Sequence, residues 1–271
     1  MKKDKKVLVY IVVTIVVLAI VFYSLNKTDH NVNSEKLFYE YQNIESLYPK
    51  TSKNIEVHKY EGFHLAYCEE HEQAAWVIYL LTHKKLSSPV CKRSNNFRPD
   101  KNISTGSADL SDYKRNGFDR GHLAPAADMK WSVKAMSESF YLSNMSPQKA
   151  AFNRGIWKKL ENRVRDIALA EDSILIITGP ILQNISGNIG KNKVSVPTKY
   201  FKIIFDLSSP QQGMIAILLE NKKIKGNLSD YCLSVRDFEN ETGLDFFSLI
   251  PDEIKEHLEI QYPAYLKSYL N

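Results

Sequence analysis

The sequence predicts an α+β fold. Ile- and Val-rich runs of strand length recur between residues 63 and 219, and other stretches repeat their apolar residues at helical spacing. Because the two signals alternate along the chain, an all-helical architecture is excluded.

Residues 1–6 are basic, and residues 7–25 (VLVYIVVTIVVLAIVFYSL) are apolar apart from Thr14, Ser24 and two tyrosines. That length is enough to cross a bilayer as a helix. The lysines before it place the N-terminus in the cytoplasm and the rest of the chain outside, by the positive-inside tendency. Bulky residues stand where a signal peptidase needs small ones, so the segment is expected to remain as a signal anchor. Residues 26–53 are mostly polar and read as a tether, interrupted by a short helix around 35–47. Residues 54–271 form the folded domain.

Within that domain Phe63, Leu65 and Tyr67 alternate with His64, Ala66 and Cys68, and residues 76–81 are densely apolar. These are two expected strands around a polar turn at 69–73. Residues 98–112 are turn-rich and lead to Asp119-Arg120-Gly121-His122, where Gly117 and Gly121 predict a tight bend displaying His122. A short helix is expected over 132–141. Counted at ~100° per residue from Asn153, the residues Ile156, Trp157, Leu160, Val164, Ile167 and Ala168 share one arc. An amphipathic helix with Asn153 at its start follows. Residues 174–178, 194–207 (broken at Pro197) and 214–219 read as buried strands. Ser234 with Asp237 has the pattern of a helix start, Gly243 that of its end, and 251–259 is a closing helix.

The formal charge of +5 suggests nucleic-acid affinity until it is divided. Four lysines and one aspartate in residues 1–6 supply +3, leaving +2 for the rest. Local clusters carry more information. Lys158, Lys159, Arg163 and Arg165 share the motif helix, and Lys191, Lys193, Lys199 and Lys202 surround a later strand. Either set would suit a phosphate-binding face or merely a soluble surface. Three cysteines (Cys68, Cys91, Cys232) leave at least one thiol unpaired, and none has metal-type spacing. Phosphate-binding Gly-x4-Gly-Lys and nucleophile Gly-x-Ser-x-Gly motifs are absent, which weighs against nucleoside-triphosphatase and serine-hydrolase chemistry.

What residues 117–166 do contain is an inventory for cutting a phosphodiester. Such a reaction needs a base to make the nucleophile, a hard cation at the departing oxygen and positive side chains around the phosphate. His122 takes a proton near neutral pH, and Arg120 and Arg165 match phosphate oxygens. One amide oxygen, Asn153, plus an outer carboxylate, Glu161, suits Mg²⁺, which keeps most of its waters. The same residues have ordinary uses: Asn153 as a helix cap, Glu161 and Arg165 as a surface pair.

Asp119-Arg120-Gly121-His122, the run 141–148 (YLSNMSPQ), and Asn153-Arg154-Gly155-Ile156-Trp157 followed by Leu160-Glu161 resemble the DNA/RNA non-specific endonuclease family. The resemblance is densest between Trp76 and Glu161. It implies a ββα-metal nuclease fold with a largely antiparallel central sheet flanked by helices. It also implies His122 as general base, Asn153 as the direct ligand of a hydrated Mg²⁺ (Mn²⁺ as substitute), and Glu161 holding metal waters. Arg120 and Asn144 would support the site and the substrate phosphate, with Arg93 and Arg165 at the leaving phosphate and the transition state. The expected function is hydrolysis of DNA and RNA with little sequence preference, giving 5′-phosphate ends. The rivals are a catalytically silent surface protein that binds or takes up nucleic acid, and a structural or adhesion protein.

Overall fold

The computed structural model describes residues 44–50, 55–208 and 212–271. The expected span at 7–25 and residues 26–43 lie outside them. Among the described residues no helix is long and apolar enough to cross a membrane.

In chain order the first half contains β1 (Ile55–Lys59), β2 (His64–Cys68), β3 (Gln73–Thr82), α1 (His83–Ser87), β4 (Phe118–His122), α2 (Val133–Glu138), β5 (Met145–Lys149) and α3 (Lys158–Ala170). There follow β6 (Ser173–Pro180), β7 (Ile185–Ile189), β8 (Val194–Pro197), β9 (Lys199–Asp206), β10 (Gly213–Glu220), β11 (Cys232–Leu233), α4 (Val235–Thr242), α5 (Asp252–Ile260) and α6 (Ala264–Ser268).

A seven-stranded sheet in the order β1-β2-β3-β6-β9-β10-β11, antiparallel throughout, forms the centre. The Ile- and Val-rich runs fall on β6, β9 and β10, which are buried over nearly their whole lengths. Period-2 geometry sends alternate side chains of a strand to opposite faces. In β9, Tyr200 and Ile204 join the core that holds Trp157, Leu160 and Val164 of the motif segment. Phe201 packs on Phe238 and Phe246 at ring-centre distances of 5.2 and 5.6 Å, and Phe205 on Phe247 at 5.7 Å. At the start of α4 the Ser234 hydroxyl accepts from the Asp237 amide, and Gly243 ends the helix in the left-handed region.

Three expectations change. Residues 119–122 are not a bend but the body of β4, paired with β5 so that Arg120 faces Pro147 and His122 faces Met145. The supposed tether ends earlier, because Ile44–Leu47 forms a 3-10 turn with Leu47 buried, and Tyr48 packs 5.1 Å from Trp76. Lys202 does not join a surface cluster: it is fully buried in β9. All three cysteines are free thiols.

Candidate active site

The β4–β5 ribbon carries the histidine, and the segment entering α3 carries the amide. Gly121 lets the two strands close, since a Cβ there would lie 2.2 Å from the buried Gln148 side chain. Asn144 closes the far end of the ribbon. Its amide oxygen accepts from Ala124 N–H at 2.9 Å, and its nitrogen donates to the carbonyls of Ala124 and Ser139 at 3.0 and 2.9 Å. Fully buried and committed to the backbone, Asn144 does not reach the cleft. The expected substrate contact is therefore replaced by a clamp on the chain just after His122, each bond contributing about 1 kcal/mol.

Asn153 sits in a wide π-type turn, Phe152–Trp157, that Gly155 interrupts with φ −102° and ψ −109°. The turn is thus not the regular first turn of a helix. The Asn153 amide nitrogen donates to Asp119 at 2.9 Å. Asp119 in turn is gripped by Arg154 through two bonds of 2.8 and 2.7 Å. Burial alone would raise the Asp119 carboxyl, but Arg154 and Asn153 more than offset it and hold it below the usual range. With its nitrogen so engaged, Asn153 has its carbonyl oxygen left to offer.

One cleft of about 430 Å³ gathers Arg93, Arg120, His122, Asn153, Glu161 and Arg165, together with Arg154, Lys158 and Asn162. Six of the seven expected site residues meet there, Asn144 being the exception. The walls present five cationic side chains and one carboxylate, a field that concentrates an anionic substrate.

His122 is set in an aromatic frame. Phe140 and Phe97 meet it edge-on at 4.9 and 5.6 Å, while Arg93 stacks on Phe140 at 4.8 Å and Arg120 on Phe97 at 4.3 Å. Its Nε2 is shut away from bulk water without a partner among the described residues. Burial, then Arg93 and Arg120, push the imidazole down to about 3. The ring is accordingly neutral at pH 7, the state in which it accepts a proton.

Arg165 does not pair with Glu161. Its guanidinium donates to Asp128 at 2.7 Å, and Asp128, almost fully buried, also accepts from the Tyr79 hydroxyl at 3.0 Å. Burial works to lower Arg165, but Asp128 outweighs it and raises it. Glu161 is pushed up by burial, with the positive charge of Lys202 opposing that push. The Lys202 ammonium lies 4.9 Å over the Trp157 ring with no hydrogen-bond partner among the described residues, lowered by burial and partly restored by Glu161. Asp128, Phe97 and Phe140 escaped the sequence reading and Lys202 was placed in a surface cluster, because each acts through a partner distant in the chain.

Among the described residues no group of three or more His, Cys, Asp or Glu gathers to hold a metal. A single amide oxygen beside one carboxylate suits only an ion that keeps most of its own water, as Mg²⁺ does. The donor set thus fits a hydrated divalent cation and disfavours a structural zinc.

Five cations, one carboxylate and a neutral imidazole, with no serine or cysteine among the described residues that line the cleft, define a site suited to an anionic substrate such as a phosphodiester. The profile of the DNA/RNA non-specific endonuclease family matches residues 41–253. The mitochondrial nuclease EXOG of Danio rerio is 33% identical over 204 residues, covering 69% of this chain and 60% of its own. A nuclease of Nostoc sp. is 32% identical over 210 residues, covering 72% and 74%, and human mitochondrial endonuclease G is 32% identical over 200 residues, covering 69% and 67%. The match thus spans 60% of the Danio rerio relative's own length, and 74% and 67% of the other two. A crystal structure of an EndoG/EndoGI inhibitory complex superposes with TM-score 0.70 and 29% identity, over 77% of this chain and 91% of that one. The chain belongs to the DNA/RNA non-specific endonuclease family.

Proposed function

We propose that this chain is a divalent-metal-dependent endonuclease that hydrolyses DNA and RNA with little sequence preference and leaves 5′-phosphate ends. The observation that carries the reading is the convergence of His122, Asn153, Glu161, Arg93, Arg120 and Arg165 on one cleft. The β4–β5 ribbon followed by α3 supports the ββα-metal description.

His122 takes the proton of the attacking water. Its low basicity in the free protein comes partly from Arg93 and Arg120, and a substrate phosphate between those arginines would cancel part of their charge and restore basicity. Arg93, Arg120 and Arg165 hold the phosphate and its developing negative charge. Asn153 would hold a hydrated Mg²⁺ or Mn²⁺ through its amide oxygen, with Glu161 accepting from the ion's waters. When bound, that ion would supply positive charge to the departing 3′ oxygen. Contacts confined to phosphate carry no base information, so sequence preference is weak.

The test is digestion of plasmid and RNA by the detergent-solubilised full chain, with and without chelator, beside His122→Ala and Asn153→Ala. Loss of a general base costs about 10²–10⁴ in rate. Undiminished cleavage by His122→Ala removes the central assignment, and an unchanged Mg²⁺ titration in Asn153→Ala removes the ligand. A chain that binds DNA equally well in all forms and cuts none is a binding protein instead.

The apolar run at 7–25 behind a lysine cluster supports a single-pass anchor with the nuclease domain outside the cytoplasm. Its release from membranes by carbonate wash would refute that location.

A further inference from the structure

A second cleft, of about 380 Å³, opens beside the first and shares Arg120 with it. Its remaining walls are Leu110, Tyr113, Lys114, Phe118 and Asp119. Three features set it apart from an ordinary surface hollow. Leu110 is 43% exposed, an apolar side chain left uncovered at the rim. Lys114 is exposed and forms no ion pair among the described residues. The loop that carries both is also held in shape. Fully buried Asp112 accepts from the Asp109 amide at 2.8 Å and from the backbone and side chain of Asn192 at 3.0 and 2.8 Å, tying the loop to the β7–β8 hairpin. Tyr113 and Phe118 pack with Met145 of β5, so one wall of the cleft continues the ribbon that carries His122.

We infer that this cleft receives the nucleoside next to the scissile phosphate. The inference rests on the nuclease reading above. Leu110 and the half-buried Phe118, which packs on buried Tyr113, offer apolar surface to a planar heterocycle, Lys114 offers its charge to the next phosphate along the strand, and Arg120 stands at the junction with the catalytic cleft. Base stacking on such surfaces tolerates every base, because each has a π-face. The cleft would therefore add affinity for a polynucleotide without adding sequence preference. It would also favour a base free to leave its helix, that is, single-stranded or unpaired substrate.

The test measures binding, so it does not depend on cleavage. Fluorescence anisotropy in chelator compares a labelled oligothymidylate with an abasic strand of the same length and charge, for the full chain, Leu110→Ser and Lys114→Ala. Both positions are exposed, and thermal melting checks that the variants fold. Leu110→Ser should weaken oligothymidylate about fivefold and leave the abasic strand unchanged, while Lys114→Ala should weaken both. If Leu110→Ser binds oligothymidylate like the parent chain, or weakens both strands equally, no base occupies the cleft and the inference fails. A parent chain that shows this base-dependent pattern yet cuts nothing would keep the cleft and lose the nuclease reading.

Discussion

The guanidinium of Arg165 lies 2.7 Å from the carboxylate of Asp128, 37 residues earlier in the chain, and Asp128 is only 1% exposed. Asp128, shielded from water, aims the partly exposed arginine into the cleft and is balanced by its charge. Removing one partner of a fully buried pair costs about 3–5 kcal/mol, and the partial exposure of Arg165 places this pair at the low end of that range. Asp128→Asn should therefore lower stability by about 3 kcal/mol in urea unfolding and also reduce cleavage. A variant as stable as the parent chain would show that the pair is not anchored as described.

The buried imidazole makes stability depend on pH. An unfolded chain binds a proton at His122 below about 6.5, whereas the native ring does so only near 3. Between those values the unfolded state holds more protons. Stability therefore falls as pH drops from about 6.5 toward 3, by up to ~1.4 kcal/mol per pH unit from this one group. His122→Asn lacks the term. Urea unfolding at pH 7, 6 and 5 should show a shallower acid slope in the variant, and equal slopes would contradict the buried, neutral ring.

Half-buried Glu161 and fully buried Lys202 form a further charge relationship. Burial raises the carboxyl, and Lys202 is the first of the cations that hold it down. Lys202→Met keeps most of the volume and removes the charge, so Glu161 should protonate more readily. Cleavage at pH 7 is expected to fall about tenfold and to recover as pH rises, while Glu161→Gln shows no such recovery. A flat pH response in Lys202→Met would mean that the lysine serves packing alone.

What could be read from sequence divides along the range of the forces involved. Residues 174–178 announced a central strand because burial on both faces demands a continuous apolar run. Ser234 and Gly243 marked their helix because capping is settled within a few residues. The motif histidine, the amide and the carboxylate could be singled out as candidates because phosphodiester chemistry restricts the groups that serve it, and the fold brings these three to one cleft. By contrast, β4 was hidden. Its glycines read locally as a bend, and the pairing that extends it comes from residues 145–149. Asn144 was misread for a related reason: a polar side chain in a loop offers itself as a ligand until its amide is seen bonded to Ala124 and Ser139. Asp128 gave no signal and Lys202 gave the wrong one, that of a surface cluster, since a charged residue reveals its burial only when its distant partners are in place.

Gly121 offers the sharpest test of how the ribbon holds the histidine. A Cβ at this position would meet Gln148 at 2.2 Å, and the Gln148 amide is itself buried with both its oxygen and nitrogen unpartnered in the protein. Overpacking of this kind costs roughly 1–3 kcal/mol. Gly121→Ala should therefore lower the melting temperature and the cleavage rate together, because the strand that moves is the one bearing His122. Shortening Gln148 opens the space without breaking a protein hydrogen bond. The double variant Gly121→Ala with Gln148→Ala should then recover much of both losses. Were the double variant no better than Gly121→Ala alone, the constraint at Gly121 would lie in the backbone and not in the side chain across the ribbon.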